Sequence, residues 1–96
     1  MYKQTVKVLV GRSFHLYRMM FTSYREWQEW QEEAERAFRN NEASDDDYYN
    51  ARHFEHENLQ VYLKAQKEYS RTYDQLVFLI GKERTEELAQ LLWELY

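Results

Sequence analysis

His53, His56 and Glu57 are the residues of this chain whose types and spacing come nearest to a metal site. On a helix, steps of three and four residues put all three on one face. If the chain doubles back near residue 44, Glu32 and Glu35 arrive beside them, and the mixed nitrogen and oxygen donors would suit a first-row divalent ion. The spacing argues against it. Di-iron bundles place Glu-x-x-His on paired helices, whereas the residues three before His53 and His56 are Asn50 and His53 itself. The simpler expectation is histidines paired with nearby carboxylates or sitting at the edge of the core, with no metal and no other cofactor.

Other chemistries find less support. The sequence has no cysteine, which removes disulfides, thiolate nucleophiles and Cys-ligated zinc. Its two glycines, Gly11 and Gly81, stand alone, so neither a P-loop nor a dinucleotide-binding turn can form. Ser13, Ser23, Ser44 and Ser70 lack the strand-turn-helix setting of a nucleophile elbow. Each acidic residue has a simpler role as a helix cap or as solvated surface, and nothing isolates one in an apolar pocket. The expectation is a protein that is not an enzyme.

The elements that must position these groups are helices. Ninety-six residues make one domain, and with two glycines and no proline little interrupts a helix. Ser13 to Asn40 reads as helix one, with Tyr17, Met20, Tyr24, Trp27, Gln31, Ala34 and Phe38 at alternating steps of three and four. Glu32 with Arg36 and Glu35 with Arg39 have the favourable acid-first spacing. An acidic turn over 41–46 follows, where Ser44 or Asp45 can cap the next helix. Helix two spans about 47–80. It has two apolar stripes that face nearly opposite ways, one through Leu59 and Leu63 and one through Val61 and Ala65, so it must be sandwiched between neighbours. Gly81 is a natural stop, and helix three covers about 83–95 with Leu88, Leu91, Leu92 and Leu95 on one side and Ala89, Trp93 and Tyr96 on another. The fold class is therefore all-α: a long antiparallel helical hairpin plus a short C-terminal helix, completed as a dimeric helical bundle.

Residues 3–10 are ambiguous. Val6, Val8 and Val10 alternate with Thr5 and Lys7 as in a strand, yet no second strand follows for pairing, and a β-branched first turn of a long helix is the slightly favoured reading. As a strand, two copies would form an antiparallel ribbon with Lys3, Thr5 and Lys7 outward. That layout resembles ribbon-helix-helix repressors, over about the first tenth of the chain, and implies strands entering the major groove of DNA. The long helix that follows departs from that family, whose first helix is short.

Charge is segregated. Residues 1–25 hold five bases and no acid, whereas residues 26–57 hold eleven acids against three arginines; the chain as a whole is at −4. A hairpin turning near residue 44 then has a basic open end and an acidic turn end. Val, Ile, Leu and Phe number only 21, but three Trp and nine Tyr add large half-polar surfaces of the kind enriched in interfaces.

These features point to a small acidic protein–protein interaction module: a homodimer that also takes a protein partner, as an adaptor, regulator or inhibitor. The expected interface is Phe14, Tyr17, Phe21, Trp30, Leu88, Leu92, Trp93 and Tyr96, and the expected acidic surface is Glu29, Glu32, Glu33, Asp45, Asp46 and Asp47. The alternative is a dimeric DNA-binding regulator using Lys3, Lys7, Arg12 and Arg18, a weaker reading because net negative charge opposes phosphate attraction. The longest apolar run, Val8-Leu9-Val10, is too short for a membrane span or a secretory signal, so no membrane role and a cytoplasmic location are expected.

Overall fold

The computed structural model describes residues 2–40 and 44–95, which form three helices: α1 (Tyr2–Arg39), α2 (Asp45–Ile80) and α3 (Lys82–Leu95). The all-α hairpin with a short C-terminal helix is as the sequence leads one to expect. Helix one, however, starts at Tyr2 rather than near residue 13, and residues 3–10 are helix, not strand. Gly11 does not interrupt α1: the β-branched run costs only tenths of a kcal/mol per residue in a helix, and a lone strand would have had no partner. Helix two begins at Asp45, two residues earlier than expected, while 41–43 of the expected acidic turn lie outside the described residues.

The start of α2 is fixed by Ser44. Its Oγ accepts from the Asp47 backbone N–H at 3.2 Å, and the Asp47 carboxylate accepts from the Ser44 backbone N–H at 3.3 Å. Asp45, Asp46 and Asp47 occupy the first turn, where the helix dipole favours negative charge. At the other end Gly81, at φ +89°, ends α2; its N–H donates to the Val77 carbonyl at 2.9 Å and its own carbonyl accepts from Thr85 N–H at 3.2 Å. The chain can reverse there because glycine tolerates this positive φ. The molecule is 60 Å long, scarcely more than the ~57 Å of a 38-residue helix, so α3 turns back instead of prolonging the rod.

Two regular seams hold α1 against α2. On α1 the inward positions are Leu9, Ser13, Leu16, Met20, Ser23, Trp27, Trp30, Ala34 and Ala37; on α2 they are Tyr48, Ala51, Glu55, Asn58, Tyr62, Ala65, Tyr69, Thr72, Leu76 and Leu79. Both runs step strictly by three and four, the heptad spacing of antiparallel helix pairs. Four ring pairs across the seam fix the register: Tyr17 with Tyr69 at 5.9 Å, Tyr24 with Tyr62 at 5.5 Å, Trp30 with Phe54 at 4.8 Å and Phe38 with Tyr48 at 5.9 Å.

The seam differs from the aromatic stripe read in the sequence. Met20, Trp27 and Ala34 do face α2, but Tyr17, Tyr24, Gln31 and Phe38 stand one position to the side, and small residues take the places between. Ser13, Ser23 and Thr72 are buried there because each hydroxyl donates to the carbonyl four residues back, to Leu9 at 3.0 Å, Met19 at 2.6 Å and Glu68 at 2.9 Å. Satisfied in this way, a short polar side chain costs little in a core and lets the helices approach closely. Arg36 likewise pairs with Glu33 at 2.8 Å rather than with Glu32.

Candidate interaction surface

The hairpin has two flanks, and α3 covers only one. On the covered flank, at the open end, Val10, Phe14 and Tyr17 of α1 and Tyr73, Val77 and Ile80 of α2 are half-buried, as are Leu88 and Ala89 of α3, while Thr85 and Leu92 are buried outright. One residue round the helix from Val77, Phe78 is 89 % exposed. That difference marks the edge of α3's cover.

The other flank is bare along its length and carries three successive grooves between α1 and α2. At the open end, one of about 710 Å³ is lined by Val8, Leu9, Arg12, Phe78 and Leu79 with Asp74 at its rim. In the middle, one of about 320 Å³ lies beside Met19, Glu26, Asn58 and Val61, with Arg18 at its rim. Towards the turn, one of about 620 Å³ is lined by Trp30, Glu33, Asp47 and Phe54 among others. Val8, Met19, Phe54, Val61 and Phe78 are all exposed on this flank.

The charges on the flank are unequal along the rod. From the open end to the middle it presents Arg12, Lys64 and Arg71 against Glu68 and Asp74; from the middle to the turn it presents Glu26, Glu29, Glu33, Glu57 and Asp47 against Arg36. Some of these are tied locally on their own helices, Glu29 to Arg25 at 3.5 Å and Glu33 to Arg36. Exposed pairs of this kind contribute only tenths of a kcal/mol and stay available to a partner.

The expected interface residues divide. Leu92 is fully buried within the chain itself and belongs to its core; Leu88, Phe14 and Tyr17 are half-buried under or beside α3. Trp30 is half-buried against Phe54, and Phe21 and Trp93 are exposed, Trp93 at 70 %. Tyr96 lies outside the described residues. The sequence reading missed Phe78 as an interface residue because it counts as one more apolar residue in the run Leu76 to Ile80; only the one-sided placement of α3 leaves it in water.

Of the expected acidic surface, Asp47 is engaged in the helix cap and Asp45 and Asp46 stand beside it; Glu32 points away from the hairpin seam. Of the basic residues, Lys3, Lys7 and Arg18 fall within about 60° around α1, and Arg12 stands on the bare flank. His53 Nε2 lies 3.0 Å from Glu57 Oε1 on its own helix, and no three His, Asp or Glu side chains converge among the described residues. No described helix is long and apolar enough to cross a membrane.

Two groups have altered acidity. The Arg52 guanidinium is held protonated more firmly than usual, first by its hydrogen bond to the Tyr48 hydroxyl at 3.2 Å and then by Glu55 at 2.7 Å. Burial in the seam pushes the Tyr69 hydroxyl up, with smaller contributions from Tyr17 and Tyr73. Both groups read as parts of the hairpin's packing.

Fold and surface together define a heptad-seamed helical hairpin with a third helix on one flank and an apolar, charge-graded groove on the other. Comparison with protein families, with curated proteins and with solved structures finds no match.

Proposed function

We propose that this chain is a small acidic protein–protein interaction module, a cytoplasmic homodimer acting as an adaptor, regulator or inhibitor of a larger protein without chemistry of its own. One observation carries the reading. The fold buries Leu92 completely yet leaves Phe78 at 89 % exposure, and Phe78 with Val8, Met19, Phe54 and Val61, gathered along one bare flank, marks a surface meant to be covered. The acidic turn end gives a basic surface on such a partner a counterpart to recognise.

A DNA-binding regulator is the alternative, favoured by Lys3, Lys7 and Arg18 sharing one side of α1. The helical start of α1 removes the ribbon geometry that made the DNA reading specific, and the chain's −4 charge opposes it. Light scattering on a size-exclusion column, with and without a duplex of about 30 base pairs, separates the two. The interaction module predicts a mass near twice 12.0 kDa that DNA does not shift. A monomer that shifts with DNA, steeply less so between about 50 and 200 mM salt, would overturn it.

A further inference from the structure

We propose that the bare flank is occupied by a second copy of this chain lying antiparallel, face to face, so that two hairpins close into a four-helix layer with α3 on each outer side. This rests on the interaction-module reading and adds the occupant and the register.

The grading of charge selects the orientation. In a parallel stack, the turn-end acids Glu26, Glu29, Glu33 and Glu57 of one copy would lie over the same acids of the other, and like charges brought together are costly. Turned end for end, each copy's Arg12 comes to the other's acidic half, and Lys64, near the axis, can face an acid of the second copy. A twofold axis across the rod does this with α1 on α1 and α2 on α2, the isologous contact of a symmetric dimer.

The apolar residues then fix the register. Setting Phe78 against Phe54 of the second copy aligns α2 residues whose numbers sum alike, which brings Lys64 opposite Glu68 and lays the aliphatic stem of Arg71 over Val61. The ring pairs Tyr17 with Tyr69 and Tyr24 with Tyr62 tie the midpoint of that alignment to the level of Met20 on α1. The same axis therefore places Met19 beside its own copy and Arg12 near Glu29 of the second copy. One register thus satisfies both helices. The molecule is 60 Å long and 15 Å across its narrowest dimension, so a face running its length is of the order of the ~800 Å² per partner that a standard-sized interface needs.

Because the chain has no cysteine, Met19→Cys gives a single thiol at the axis. The full chain carrying it should be linked nearly completely into a covalent dimer by a bismaleimide whose span matches the ~8–10 Å between packed helix axes, while Ser70→Cys, exposed on the other flank, should not. Lys64→Glu should weaken the dimer at least tenfold, and adding Glu68→Lys should restore it. Both residues are exposed, so folding, followed by circular dichroism, stays intact. A dimer in which Met19→Cys is not linked and Lys64→Glu has no effect would overturn this interface while leaving the interaction-module reading in place. A wild-type chain that stays monomeric would overturn it outright.

Discussion

Leu92 and Trp93 are neighbours in sequence with opposite environments, one fully buried and the other 70 % exposed. Leu92→Ala should lower stability by about 2–5 kcal/mol, the usual cost of emptying a buried leucine site, whereas Trp93→Ala should stay within about 0.5 kcal/mol; urea denaturation of the two variants checks this. Tyr69 provides a pH test. Its hydroxyl titrates above its ordinary value near 10.0 because burial disfavours the phenolate. A group whose folded value is raised stabilises fully below its unfolded value and loses that contribution as pH climbs through the folded one. The wild type should therefore lose stability between about pH 9 and 11 more steeply than Tyr69→Phe, as read from thermal melts across that range. A third residue shows a cost left in the core: the Trp27 indole N–H is buried and finds no acceptor among the described residues. Sequence alone shows the side chains that must be large, not those that must be small. Ser13, Ser23 and Thr72 look like solvent-facing residues until the hydroxyl-to-carbonyl bonds that satisfy them are seen.

The two glycines act in opposite senses on their helices. Gly11 lies within α1 with nothing beyond its own helix backbone within 4 Å of where a Cβ would stand, so Gly11→Ala should stabilise by about 0.5–1 kcal/mol through helix propensity and a less flexible unfolded chain. Gly81 holds φ +89°, and Gly81→Ala should destabilise by ~1–2 kcal/mol because an L side chain is strained there. Paired denaturation curves should show this difference of sign. Helix number, order and the Gly81 break were legible in the sequence, since heptad-like periodicity and glycine punctuation report directly on local structure. The start of α1 was not, because alternating valines satisfy a strand pattern and a helix equally well until the lack of a partner strand decides. The seam was legible to within one position. A stripe drawn through Tyr17, Tyr24 and Phe38 follows the largest side chains, and those are the ones that sit beside the seam and pack over it, as Tyr17 does on Tyr69.

Across the whole molecule, the segregation of charge in the sequence becomes a gradient along a rod of 60 Å, because the hairpin folds the acidic stretches of α1 and α2 together. This part of the surface could be read from the sequence once the turn was placed. Its division into a covered and a bare flank could not, since the short α3 is apolar on two sides and its sequence does not say which side of the hairpin it takes. The bare flank makes a prediction at the same scale. Phe78→Asp should leave the fold of each chain intact, since the side chain is almost wholly in water, yet convert the proposed dimer to monomer, a change visible by light scattering.

Small-angle X-ray scattering of the wild-type protein tests the central claim most directly, because it reads mass and length together. The face-to-face antiparallel pair predicts a particle of about twice 12.0 kDa whose longest dimension stays close to the 60 Å of one chain plus side chains, with a thickened cross-section. A particle with the mass of a single chain, or a dimer nearly twice as long, would contradict it.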